Sequence, residues 1–223
     1  MKLFKNIKNW LENQEHLFYL FLFILIVPNM VLCFTEPLPF MAKVANVLLP
    51  FGCYYLLMTL SRNCGKMLWI LFLFLFFGAF QIVLLYLFGQ SIIAVDMFLN
   101  LVTTNSSEAL ELLDNLTPAI IAVIILYVPA LILGMISIIR KRKLTVEFIR
   151  RERKRAFLVF GISLLSLVGA YVQDSGYELK SDLYPLNVCY NVGLAFQRTA
   201  LTQDYHRTSK DFTFHARPTH PEG

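Results

Sequence analysis

Residues Met67–Phe88 read MLWILFLFLFFGAFQIVLLYLF, an apolar run whose single strongly polar side chain is Gln81. The run meets the roughly 20 residues that a helix needs to cross the hydrocarbon of a bilayer. No Gly-Pro or Asx-Gly pair breaks it into strands, and its length excludes a buried strand. It therefore predicts a membrane-spanning helix, and the rest of the chain can be read outward from it.

Composition agrees. Of 223 residues, 57% are hydrophobic and 16% charged, and the mean hydropathy is +0.60. A soluble domain carries about a quarter charged residues, so the chain reads as an all-α polytopic membrane protein. The net charge of +5 is clustered beside apolar runs rather than interleaved with exposed aromatics, which argues against nucleic-acid binding. The cysteines Cys33, Cys53, Cys64 and Cys189 show no metal-ligand spacing and no disulfide framework.

Four further spans flank the first. Leu17–Phe34 precedes it, interrupted only by Pro28 and Asn29, and no small-x-small cleavage site follows, so it reads as an uncleaved anchor. Residues 44–60 form a shorter span expected to bend at Pro50–Gly52. Downstream, 118–139 starts with Thr117 as N-cap and Pro118 as a first-turn residue, and holds Pro129 inside. The last span covers 156–172. Residues 1–172 thus form a transmembrane domain, with spans at about 17–34, 44–60, 67–88, 118–139 and 156–172. Residues 173–223 are polar and read as an extracytoplasmic juxtamembrane helix and linker.

Orientation follows from the basic residues. Lys2, Lys5 and Lys8, the Arg62–Lys66 turn and the stretch RKRKLTVEFIRRERKR at 140–155 are expected to face the cytoplasm. The 35–42 turn, the 89–116 stretch and the C-terminal tail then face outward, giving five spans with N-in and C-out.

Span interiors hold no Asp, Glu, Arg, His or Lys, which argues against a transporter or proton pump. Asn29, Asn46 and Gln81 read as hydrogen-bonding groups between helices. The basic 140–155 stretch reads first as a topogenic signal, with attraction of anionic lipid head groups as the alternative. In the tail, His206, His215 and His220 lack a Cys or a paired carboxylate to complete a metal site, and a flexible linker is the simpler account. YPLNVCYNVGLAFQRT, at 184–199, places Leu186, Cys189, Tyr190, Leu194 and Phe196 as the apolar face of an amphipathic helix on the outer membrane surface or on a partner domain.

One stretch remains, IIAVDMFLNLVTTNSSEALELLDNL at Ile92–Leu116, polar, acidic and free of Lys and Arg. Asp96, Asn100, Thr104 and Glu108 recur at every fourth position, so on a helix they form one row. Asn105-Ser106-Ser107-Glu108 is also a capping box, which would start a helix there and make the row a coincidence of counting. Against that, an uncompensated carboxylate at an outer interface suits an incoming ammonium group, while a neighbouring hydroxyl and amide suit phosphate or glycerol oxygens.

The five spans, the outward DMFLNLVTTNSSEALELL, the PLN-containing juxtamembrane helix and the DFTFHARPTHPEG tail resemble the N-terminal part of a bacterial phosphoethanolamine transferase. These are lipid A-modifying, polymyxin-resistance membrane enzymes of the alkaline phosphatase and sulfatase superfamily. The resemblance covers essentially the whole chain and is most specific at Asn100-x3-Thr104-x3-Glu108. It implies that these three residues bind the head group of phosphatidylethanolamine, with Glu108 on the ammonium and Asn100 and Thr104 on the phosphate side. It leaves Asp96 without a role. It further implies a soluble domain carrying zinc and a Thr nucleophile, which passes phosphoethanolamine to lipid A or another envelope glycan. No such catalytic set is found in the sequence through Gly223, so the chain reads as the inner-membrane part of a longer enzyme, inactive alone, with its C-terminus in the periplasm. The alternative function is a non-catalytic membrane scaffold or accessory subunit.

Overall fold

The computed structural model describes residues 9–88 and 106–209, with side chains described for 9–86, 116–205 and none between. Eight helices are described: α1 (Gln14–Thr35), α2 (Phe40–Met58), α3 (Cys64–Ile70), α4 (Phe72–Phe88), α5 (Ser106–Ile139), α6 (Val146–Gln173), α7 (Leu179–Asp182) and α8 (Leu186–Ser209). No strand occurs among the described residues. Among the described residues four helices are long and apolar enough to cross a membrane, or five where the bent pair α3–α4 counts as one span. The chain is an all-α polytopic membrane protein.

Side-chain caps start α1, α3 and α6. The Asn13 side chain accepts from Glu15 N, that of Asn63 from Lys66 N, and that of Thr145 from Phe148 N. The C-terminus of α5 closes as a Schellman turn, with Arg142 N–H on Ser137 C=O and Lys141 N–H on Ile138 C=O. Lys141 takes the left-handed position, with φ of 50°, that a glycine more commonly fills.

The core runs between α1, α2, α3, α5 and the start of α6. Phe18 and Phe21 of α1, Met58 of α2, Leu68 of α3 and Phe148 of α6 are among its best-buried members. Phe18 and Phe148 meet edge to face, with ring centroids 5.4 Å apart. Large apolar side chains at Ile121, Ile125 and Ile132 of α5 and at Leu158, Leu165 and Val172 of α6 point outward. That distribution suits lipid as the surrounding solvent.

Hydrogen bonds between chain segments define two ends. At the basic end, Asn63 Nδ2 donates to Ser137 O and Arg142 O, Arg62 Nε donates to Leu144 O, and Arg142 Nη1 donates to Glu12 O. At the distal end, Met41 N donates to Gln173 Oε1. Segments before α1, between α2 and α3 and between α5 and α6 therefore share one end, as alternating passes require.

Three sequence expectations need correction. Met67–Phe88 is not one unbroken span, because α3 and α4 meet at Leu71 with a bend of 63°. No proline or glycine marks this place. Phe74 N–H bonds to Leu71 C=O, a tightened i−3 contact, and the Tyr184 hydroxyl takes up the Phe74 carbonyl at 3.1 Å. The bend lets α3 lie on α5, where Gly65 and Gly134 pack backbone to backbone. Second, Thr117–Pro118 is not the start of a helix, because the described helix already includes Ser106 and carries Pro118 inside it. Third, the 140–155 stretch is a loop only as far as Thr145; its second half forms the first turns of α6.

Candidate functional site

Polar side chains inside the bundle concentrate toward the distal end, where residues 174–188 fold back over α1, α2 and α4. Asn29 Nδ2 donates to Asn46 O at 2.9 Å and to Tyr184 O at 2.8 Å. Asn46 Nδ2 donates to Asp182 O at 2.6 Å, and the Tyr177 hydroxyl donates to Asn46 Oδ1. Two asparagine amides thus hold α1, α2 and the returning segment together. Lipid offers no competing hydrogen bonds, so such amides act as interhelical links. Burial, with Asp182 second, pushes the Tyr177 phenol well above its ordinary range, so it stays a proton donor to Asn46 at any physiological pH.

Beside this lattice lie groups whose bonding capacity is not filled. The Asn187 amide, in the first turn of α8, is fully buried, and neither its oxygen nor its nitrogen is bonded among the described residues. Asn29 Oδ1 and the hydroxyls of Tyr54 and Tyr127 are likewise buried without a bond among the described residues. A Cβ on Gly78 would lie 3.2 Å from both the Tyr127 and Tyr184 hydroxyls, which brings these two phenols close together beneath α8. Neutral amides and phenols of this kind bind and orient polar groups. No group of three or more His, Cys, Asp or Glu able to hold a metal occurs among the described residues.

A second buried polar centre stands at the basic end. The Glu152 side chain of α6 has 0% exposure and is held by Arg151 Nε and Arg155 Nη1, each at 2.9 Å, and by the Tyr55 hydroxyl. Burial pushes its carboxyl up, but bonds from Tyr55, Arg151 and Tyr19 together with the Arg155 charge outweigh this and hold it below the usual value of 4.5. A depressed carboxyl contributes stability that is complete above the unfolded value and is lost as pH falls through the lower folded one. Thermal unfolding in detergent is therefore expected to occur at lower temperature once the pH drops below the ordinary carboxylate range. Glu152→Gln should remove that acid-dependent part of the curve, and an unchanged acid limb in the variant would contradict the assignment.

The residues singled out from sequence stand as follows. Asp96, Asn100 and Thr104 lie outside the described residues. Glu108 lies in the first turn of α5, its side chain outside the described set. Helix α5 ends at the basic end, so its start points to the distal end, the same end as the asparagine lattice. His206 lies in α8, and His215 and His220 fall outside the described residues. Asn29 and Asn46 link helices as expected, and Gln81 is fully buried. Helix α8 forms at the expected place and runs on to Ser209. Asn187, Val188 and Ala195 are buried, while Leu186, Tyr190 and Phe196 are exposed. Asn187 was not marked by any sequence feature; only its place two residues after Pro185, in the first turn of a docked helix, could have drawn attention to it.

Comparison with known proteins is without a match: no family model, curated protein or solved structure resembles the chain significantly.

Proposed function

We propose that this chain is the membrane domain of a phosphoethanolamine transferase of a bacterial inner membrane. It would anchor the enzyme and hold the head group of phosphatidylethanolamine at its outer face. The observation that carries this reading is the pairing of Asn100, Thr104 and Glu108, in one unneutralised polar stretch, with a multi-pass helical bundle whose α5 includes Glu108. Glu108 would pair with the ammonium, and Asn100 and Thr104 would orient the phosphate oxygens. The returning 174–188 segment supports the same reading, since it locks the start of α8 onto the bundle and gives a fixed neck for whatever follows.

On this reading the membrane domain contributes positioning, which brings lipid substrate and catalyst to one interface. Phosphoryl transfer to lipid A or another envelope acceptor would belong to a zinc-bearing soluble domain of the whole protein, through a Thr nucleophile. Glu108→Gln keeps size and hydrogen bonding but removes the charge. In the whole enzyme it is expected to lower the rate of phosphoethanolamine transfer by about tenfold or more, the loss of a charge-assisted contact, with unchanged membrane levels. Full activity in Glu108→Gln would overturn the assignment of the head-group site.

A further inference from the structure

The basic end carries a groove that the proposed function does not use. It lies between the α2–α3 turn and the first turns of α6, encloses about 500 Å³ and is lined by Arg62, Arg150, Arg153 and Lys154. Val146, Ile149 and Phe157 complete its wall, and no carboxylate is among the lining residues. The acid that a helix so rich in arginine would be expected to turn toward them is Glu152. It points to the opposite side of α6, where Tyr55, Arg151 and Arg155 consume it. The groove is left with uncompensated positive charge.

Two of its cations are held in place. Arg62 Nε is fixed on Leu144 O at 2.9 Å, and Arg153 Nη2 on Thr59 O at 2.7 Å. A guanidinium has five N–H donors, so each tether orients the group while leaving donors for an oxyanion. Arg150 and Lys154, one turn apart on the same helix face, form no hydrogen bond or ion pair among the described residues.

The apolar wall continues along α6. Phe157 lines the groove, and Gly161, Leu164 and Val168 follow it at helical spacing on the same face. Phe157 is 61% and Val168 60% exposed, and a Cβ at Gly161 would meet nothing within 4 Å. Anion site and open apolar track thus form one continuous face, which fits an amphiphile better than a free anion.

We propose that this groove is a binding site for the phosphate of an anionic phospholipid in the leaflet at the basic end, with an acyl chain lying along Phe157, Gly161, Leu164 and Val168. The site is on the opposite end from Glu108 and stands whether or not the transferase reading holds. Its role would be to fix the α2–α3 turn and the start of α6 at the bilayer surface, beyond the diffuse attraction that any basic loop exerts.

Native mass spectrometry of the full chain, released from micelles containing equal phosphatidylglycerol and phosphatidylcholine, tests this. Phosphatidylglycerol is expected to be retained in preference. The Arg150→Gln/Lys154→Gln pair is expected to reduce that retention by about fivefold per side chain, with phosphatidylcholine unaffected. Lys141→Gln/Lys143→Gln removes the same charge outside the groove and should leave retention unchanged. Equal losses in the two pairs would overturn the site in favour of diffuse charge. Displacement of the lipid by inorganic phosphate would overturn the choice of an amphiphile, and retention without head-group preference would overturn the proposal altogether.

Discussion

Gly65→Ala is expected to lower the yield of folded protein sharply, whereas Gly134→Ala at the facing position is expected to cost little. A Cβ at Gly65 would lie 2.2 Å from the Gly134 carbonyl oxygen and 3.0 Å from its carbonyl carbon. Both obstacles are backbone, so no rotamer change can relieve them. A Cβ at Gly134 would instead meet Leu68 Cδ2 at 3.2 Å, the mobile end of a side chain. Overpacking costs about 1–3 kcal/mol and more where backbone must move, so the Gly65 variant belongs at or above the upper limit. It would also force α3 off α5 and undo the bend at Leu71. Thermal unfolding followed by fluorescence-detected gel filtration in detergent would measure both variants. Similar midpoints for the two would mean that the α3–α5 contact is not the close one described.

Asn46→Ala should produce the second large effect, and its signature is local. The substitution removes the bond to Asp182 O and strands the Tyr177 hydroxyl, while Asn29 keeps its bonds to the backbone of residue 46 and to Tyr184. A side-chain hydrogen bond between membrane helices contributes about 0.6 kcal/mol, and a buried group left unpaired costs about 1–3 kcal/mol. A loss of about 2–3 kcal/mol follows. It should fall on the 174–188 segment, so protease cleavage between α6 and α8 should accelerate before the bundle itself unfolds. Cleavage no faster than in the unaltered protein would show that the lattice does not hold the segment.

Much of the bundle can be read from the chain because lipid imposes long apolar runs. Each span announced itself by length, and the alternation of basic and acidic connections gave an order of passes that the hydrogen bonds at the two ends match. What the chain hides depends on distant partners. Nothing local to Leu71 encodes a bend, since the cause lies in Gly134 on α5 and Tyr184 beyond α6. Asn29 and Asn46 were recognisable as polar links, but their acceptors at residues 182 and 184 lie far along the chain. Glu152 was invisible for a different reason. In a run of arginines and lysines it reads as one more surface charge, and only the hydroxyls of Tyr55 and Tyr19 on other helices mark it as turned inward. On helix α8 the buried residues are Asn187, Val188 and Ala195, which no apolar pattern marks, while Leu186, Tyr190 and Phe196 stay exposed. Asn100 and Thr104 lie outside the described residues, so their proposed role rests on sequence.

On the proposed orientation the basic end of the multi-pass bundle faces the cytoplasm and its asparagine lattice faces outward. That orientation is tested most directly by cysteine accessibility in sealed spheroplasts. Ser175 and Lys143 are exposed and lie at opposite ends of α6. In a Cys189→Ala background, Ser175→Cys should react with a membrane-impermeant maleimide in intact spheroplasts, and Lys143→Cys should react only after lysis. Reaction of Lys143→Cys from outside, or of both positions from the same side, would contradict the account.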